Sequence, residues 1–235
     1  MKKIVVITII LTFFSLTTYA HKPIDTSKPA TRKDPIVIED HQISWVAYNQ
    51  LTDIDDVDYY KLDSVKEGEE IYLSMLVPKF ERLRDFDPVI ALIGPELPNE
   101  LSNFSKEEIE EILDIYDNEG VVIKLNDKYD KTFFEPFTQT RYWERQELRI
   151  VAPASGDYFV AVFDEEIADK YVLSIGEKEE WGIRDIIKMP IIWWNVRMFM
   201  EKKWSTYLIT AVVLLLLIFI IKFIISKVIK PLINS

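Results

Sequence analysis

Between residues 43 and 176 the chain alternates apolar and polar positions in short runs, with Gly, Pro and Asp turns between them. Period-two alternation is the pattern of a strand, whose successive side chains point to opposite faces. Strands are predicted near 43–48, 58–63, 69–77, 88–93, 121–125, 132–134, 146–151, 157–163 and 170–176. This makes the fold mainly β, an antiparallel β-sandwich of jelly-roll type. One stretch changes period. Ser105-Lys106-Glu107-Glu108 reads as a capping box, Ile109, Ile112, Leu113 and Tyr116 form one apolar face, and Asn118-Glu119-Gly120 stops it. A single inserted helix follows, expected to cover an end or edge of the sandwich.

The two termini are apolar in a different way. Met1-Lys2-Lys3, an apolar run from Ile4 to Leu16 and Thr17-Thr18-Tyr19-Ala20 read as a secretory signal peptide over 1–20, cleaved after Ala20. Residues 21–36, polar and Pro-containing, read as a linker into a domain at 37–180. Near the other end, Tyr207 to Ile225 is apolar except for Lys222 and would span about 28 Å as a helix, close to the hydrocarbon thickness. A single transmembrane helix is placed at 205–226 with a short cytoplasmic tail at 227–235. Basic residues stand on both sides of it, so the exporting signal peptide sets the orientation, with the domain outside the cell. Between domain and span, 181–204 interleaves Trp181, Trp193, Trp194 and Trp204 with Arg184, Lys188, Arg197, Lys202 and Lys203. Rings beside basic side chains favour the headgroup layer, which predicts an amphipathic juxtamembrane segment broken at Pro190. Its interface residues would be Trp193, Trp194, Arg197 and Trp204, in contact with membrane lipid.

Several segments resemble the bacterial pre-peptidase C-terminal domain family. They are Asp56-Val57-Asp58-Tyr59-Tyr60-Lys61-Leu62, Lys66-Glu67-Gly68-Glu69, Asp87-Pro88-Val89-Ile90-Ala91-Leu92, Gly156-Asp157-Tyr158-Phe159-Val160-Ala161-Val162 and Tyr171-Val172-Leu173-Ser174-Ile175. The resemblance runs over about residues 56–176 in the family's order. It implies a jelly-roll sandwich on a secreted or surface protein, an accessory role, and calcium as a possible ligand. The helix after Ser105 and the stretch Tyr129 to Arg145 have no counterpart in the family's pattern.

Charge narrows the partners. Residues 37–180 carry 35 acidic and 14 basic side chains, a net −21, whereas the flanks carry 4 and 14, a net +10. A body this acidic repels phosphate backbones, so nucleic acid is excluded as its partner. The absence of cysteine removes disulfides, thiolate metal sites and thiol nucleophiles together.

Two segments could carry binding chemistry. Asp53, Asp55, Asp56 and Asp58 put four carboxylates into six residues, a density of oxygen ligands that suits Ca²⁺, although a solvated acidic turn is the favoured reading of the pattern. No EF-hand is present, since Val57 and Ser64 stand where ligands belong. Asp164, Glu165, Glu166 and Asp169 form a second acidic turn, and if both turns fell at one end of the sandwich they could share an ion. The second segment runs from Phe133 to Glu144. Phe137, Arg141, Tyr142 and Trp143 could stack on a glycan or dock a protein, or could close the sandwich from within.

Motifs for nucleophilic, zinc-hydrolase, phosphate-loop or dinucleotide chemistry are missing. The expected function is therefore a membrane-anchored, extracytoplasmic binding or assembly module without catalysis, contacting another membrane or surface protein or a glycan. The alternative is a membrane-tethered hydrolase-like or metal-handling enzyme using Glu135, Glu144 and His41. Convergence of Glu135, Glu144 and Arg141 in an open cleft about 5–9 Å across would favour the enzyme, and their dispersal or covering would remove it.

Overall fold

The structure, a computed structural model, describes residues 21–125 and 131–226. The expected signal peptide and cytoplasmic tail lie outside the described residues. Eleven strands are described: β1 Lys22–Pro23, β2 Ile36–Ile38, β3 Trp45–Gln50, β4 Asp58–Val65, β5 Glu70–Pro78, β6 Val89–Pro95, β7 Glu119–Val122, β8 Thr132–Glu135, β9 Thr140–Val151, β10 Gly156–Phe163 and β11 Lys170–Ile175. Helix α1 is Lys106–Ile112, α2 is Ile183–Phe199 and α3 is Lys203–Ile224.

The strands form a six-stranded sheet in the order β1-β3-β11-β5-β9-β8 and a five-stranded sheet in the order β2-β4-β10-β6-β7. From β3 to β6, and again from β9 to β11, consecutive strands change sheet, the wrapping of a jelly roll. Along β5 the alternation seen in the sequence is obeyed: Ile71, Leu73, Met75 and Val77 are buried, with Tyr72, Ser74 and Leu76 less so. They meet Leu62, Leu92, Tyr158, Val160 and Leu173 in one core between the sheets.

In the sandwich three features depart from the sequence expectation. Residues 21–36 are no linker: Lys22 and Pro23 pair with Trp45 and Val46, and Ile36 to Ile38 with Tyr60 to Leu62. Both pairings are parallel, so each sheet has one parallel strand at its edge and is otherwise antiparallel. Strand β9 begins at Thr140, six residues before the predicted start. A bulge opposite Met75 and Leu76 divides it, and Gln146 turns inward to bond the backbone of Ile90 on the facing sheet, at 2.6 Å to its nitrogen and 3.0 Å to its oxygen. Helix α1 covers a face of the five-stranded sheet rather than an end or edge, with Ile109 and Leu113 packed in a second cluster with Tyr59, Ala91, Ile93 and Phe163. Strand β6, under that cover, is buried on both sides, which is why it reads VIALIG without alternation.

After β11 the chain turns at Gly176, whose φ is 70° and whose absent Cβ would lie 2.4 Å from the carbonyl oxygens of His41 and Ile43. Only glycine fits both demands. The chain divides into two compact units between Ile187 and Lys188.

In the second unit Pro190 lies inside α2, not at a break; the ring costs the helix one hydrogen bond without ending it. The break comes at residues 200–202, where Glu201 takes a φ of 59°. Beyond it, 21 residues from Lys203 to Phe223 form the one described helix long and apolar enough to cross a membrane, about 32 Å at helical rise.

Candidate functional site

Strand register brings the two acidic turns together. Gln50 pairs with Lys170 and Asp58 with Val162, so the turns 51–57 and 164–169 leave the same end of the sandwich. Strand β11 ends at the opposite end, where Trp45 pairs with Ile175. Helix α1 adds its first and last turns to the same place. The result is a cleft of about 530 Å³ lined by Ile54, Asp55, Val57, Glu108, Glu111, Ile112, Phe163, Asp164 and Glu165.

Each wall is held locally. Asp164 accepts from the backbone nitrogens of Glu166 at 2.9 Å, Ile167 at 2.8 Å and Asp87 at 3.2 Å, which shapes its turn. Asp56 accepts from the nitrogen and hydroxyl of Thr52, both at 2.8 Å. The predicted capping box is present, with Glu108 accepting from the Ser105 nitrogen at 2.7 Å and the Ser105 hydroxyl accepting from the Glu108 nitrogen at 3.2 Å. The bond from the Ser105 nitrogen, helped by the Ser105 hydroxyl, holds the Glu108 carboxyl below its ordinary value. A lining that mixes carboxylates with Ile54, Val57, Ile112 and Phe163 suits a cation carried on a hydrocarbon stem, a lysine or arginine side chain.

The four aspartates expected to share a calcium ion do different jobs. Asp53 accepts from the Ile54 nitrogen, Asp55 faces the cleft, Asp56 binds Thr52, and Asp58 is buried. Asp58 accepts from Asn49 at 2.9 Å and from the Tyr171 hydroxyl at 2.5 Å, and Tyr171 continues to Tyr60 at 2.8 Å. Burial pushes the Asp58 carboxyl up to about 6 against the pull of the Tyr171 bond. Among the described residues no three acidic or histidine side chains gather as a metal site.

The Phe133 to Glu144 segment is divided between inside and outside. Tyr142 and Trp143 are buried, at 1% and 5% exposure, so they do not form an open surface with Arg141, which is exposed over the Phe134 ring, and the half-buried Phe137. Alternation along β9 sends Tyr142 and Trp143 into different environments, Trp143 into the core between the sheets and Tyr142 onto the Thr138 hydroxyl at 3.1 Å.

Glu135, Glu144 and His41 do not converge. Glu135 caps its own turn, accepting at 2.6 Å from the nitrogens of Phe137 and Thr138 and from the Thr138 hydroxyl. Glu144 binds Lys131 at 2.5 Å and lies four residues along β9 from Thr140, the partner of Glu135, roughly 13 Å away along the strand. His41 sits at the far end of the sandwich beside Glu69, 3.8 Å away. The enzyme alternative built on these three residues has no site.

In the second unit Arg197 is corrected from a headgroup contact to a buried brace. Its Nε donates to the Thr206 hydroxyl at 3.0 Å, its Nη2 to the Ser205 hydroxyl at 2.6 Å, and its guanidinium lies 4.9 Å from the Trp193 ring centre. The turn at 200–202 folds the start of α3 back to the end of α2, and the fork closes the elbow. Trp194 meets Tyr207 edge to face at 5.6 Å, while Trp204 is 88% exposed.

A further constellation had no signal in the sequence. Arg32, from the polar leader, is buried against Phe159, Tyr116 and Tyr59 and pairs with Glu119 at 2.5 Å. The five residues of this cluster are spread over 128 positions of sequence, from Arg32 to Phe159, and only pairing of β4 with β10 and the return of β7 unite them.

No protein-family profile matches the chain, and no curated protein does. Among solved structures it is similar to the crystal structure of PliG from Aeromonas hydrophila, a periplasmic lysozyme inhibitor of g-type lysozyme. Identity is 12%, the match covers 67% of this chain and 95% of that one, and the TM-score is 0.31, too low to inform the reading of this chain.

Proposed function

We propose that the chain is a membrane-anchored, extracytoplasmic binding module without catalytic activity, whose acidic cleft takes basic side chains of a partner protein at the cell surface. The observation that carries it is the placing of two sequence-distant acidic turns and α1 around one cleft, in a body of net −21 that precedes an apolar helix of membrane length. Export by the predicted signal peptide puts the sandwich outside and residues 227–235 in the cytoplasm. Trp193, Trp194 and Trp204 meet the lipid headgroups. The resemblance to the pre-peptidase C-terminal family fits the accessory role, with calcium as a further ligand of the acidic end.

The test compares two charge-matched triple variants of the full chain in nanodiscs. One changes Asp55→Asn, Glu111→Gln and Glu165→Gln in the cleft; the other changes Glu39→Gln, Glu67→Gln and Glu180→Gln, all exposed and outside it. Binding of a Lys-containing amphipathic peptide is expected to fall about tenfold in the first and under threefold in the second. Equal losses would mean general attraction to the acidic body and would overturn the cleft as the contact. Repeating the titration with a calcium chelator reads the ion's contribution.

A further inference from the structure

The guanidinium of Arg32 occupies a site that the sandwich builds without it. Tyr59 on β4 and Phe159 on β10 stand on neighbouring strands, where Phe159 pairs with Lys61 and Ala161 with Tyr59. Tyr59 is fixed by its hydroxyl, which accepts from the Asp114 nitrogen at 3.1 Å. Glu119 and Tyr116 close a turn on each other: the Glu119 carboxylate accepts from the Tyr116 nitrogen at 3.0 Å, and the Glu119 nitrogen donates to the Tyr116 oxygen at 2.9 Å. None of these contacts involves the leader. Into this frame the Arg32 guanidinium carbon comes 3.4 Å from the Phe159 ring centre, 5.1 Å from Tyr116 and 5.9 Å from Tyr59. Three ring faces and one carboxylate are the chemistry that selects a planar, delocalised cation over a compact ammonium.

Arg32 is an imperfect occupant. Its Nε and Nη1 are buried and have no hydrogen-bond partner, while only Nη2 reaches Glu119. Donors left without acceptors weaken the hold of the group that carries them. The leader itself is held by short ladders, two residue pairs at β1 and three at β2, by the bond from the Tyr59 nitrogen to the Ala30 oxygen, by the Thr26 hydroxyl donating to the Tyr48 oxygen at 2.9 Å, and by His21 against the Ser44 hydroxyl at 2.5 Å, all of them away from Arg32 itself. Pro29 and Pro35 supply no amide donors, so the stretch between the ladders cannot lengthen them. Beside the frame opens a groove of about 440 Å³ whose lining includes Leu101, Leu113, Tyr116, Asp117 and Glu119, so two residues are common to groove and cage. Ile109, Leu113 and Val121 are its buried apolar lining; Glu110, Asp117 and Lys106 are exposed, with Lys106 paired to Glu110 at 3.2 Å.

We infer that Tyr59, Tyr116, Phe159 and Glu119 form an arginine-recognition site for a partner protein, which the chain's own Arg32 fills until an arginine-bearing segment lying in the adjoining groove displaces it. This rests on the proposed binding role and names the partner's chemistry, at a place separate from the acidic cleft. The leader then acts as a competing internal ligand, and its removal raises affinity for arginine.

The experiment uses the full chain in phosphatidylcholine nanodiscs and acetylated Gly-Arg-Gly amide, with the Gly-Lys-Gly counterpart as control. Arg32→Ala is expected to bind the arginine peptide at least tenfold more tightly than the unaltered chain and to prefer it over the lysine peptide at least fivefold. Adding Glu119→Gln should abolish the gain. Arg32→Lys serves as the second opened form if Arg32→Ala fails to melt cooperatively, because it keeps the charge and loses the planar fork. A folded opened form with no gain, equal binding of both peptides, or a gain that survives Glu119→Gln overturns the inference. So does an Arg32-dependent dimer of the unaltered chain, which would make the leader of a second copy the occupant. The cleft variants leave all four cage residues intact, so failure here and failure of the cleft are read separately.

Discussion

The Tyr171 hydroxyl donates to the Asp58 carboxylate at 2.5 Å inside the sandwich, joining β11 of one sheet to β4 of the other. Tyr60 and Asn49 extend the link, so an acid that the sequence places in a solvated turn becomes a buried cross-brace. A buried carboxylate must accept bonds or take a proton, and Asp58 does the first while its raised value invites the second.

That value gives a pH prediction with a definite sign. The folded-state value of about 6 lies above the model-peptide 3.8, so the folded protein favours the protonated form. Its contribution is complete below the unfolded value and is lost as pH rises through about 6. The full shift corresponds to about 3 kcal/mol. Asp58→Asn is expected to remove this dependence, so that its stability relative to the unaltered chain improves by about that amount between pH 4 and pH 7. Parallel denaturation curves across that range check it, and a constant difference would refute it.

Trp143 is expected to behave as core. Replacing it with Ala should cost about 3–5 kcal/mol of folding stability through lost contacts and an unfilled space. Arg141→Ala, on the exposed position beside it, should stay within about 0.5 kcal/mol. Chemical denaturation of the two variants separates the burial seen here from the recognition role the sequence allowed.

The elbow depends on the Arg197 fork. Arg197→Lys keeps the charge but cannot hold Ser205 and Thr206 together in one plane. The expected loss is about 1.5–3 kcal/mol of local stability, the range for hydrogen bonds to charged groups. Hydrogen exchange at residues 199–206 should quicken by one to two orders of magnitude with the sandwich amides unchanged.

Anchoring should reside in α3. A chain ending before Lys203 is expected to leave the carbonate-resistant membrane fraction, with Trp193 and Trp194 giving only weak peripheral attachment. Retention of the shortened chain as an integral membrane protein would refute a single anchor.

The jelly-roll sandwich, its helix and the apolar span were legible because each rests on a local period: two for the strands, a 3.6-residue face with a capping box for α1, and an unbroken apolar run for α3. All nine expected strands are present because their burial pattern is written into neighbouring residues. The leader was misjudged for the same reason. Its edge pairings with β3 and β4 leave no periodicity, and Arg32 reads as a solvated charge until Phe159, Tyr116 and Glu119 are brought around it. The cleft was half legible: the sequence showed two acidic turns, strand register put them at one end, and packing of α1 on the sheet brought Glu108 and Glu111 to them. Sequence determined the nine expected strands, α1 and the apolar run of α3, since propensity and period act over a few residues. Tertiary structure decided which charges meet, are buried or stay in water, because those energies depend on distances between residues far apart in the chain.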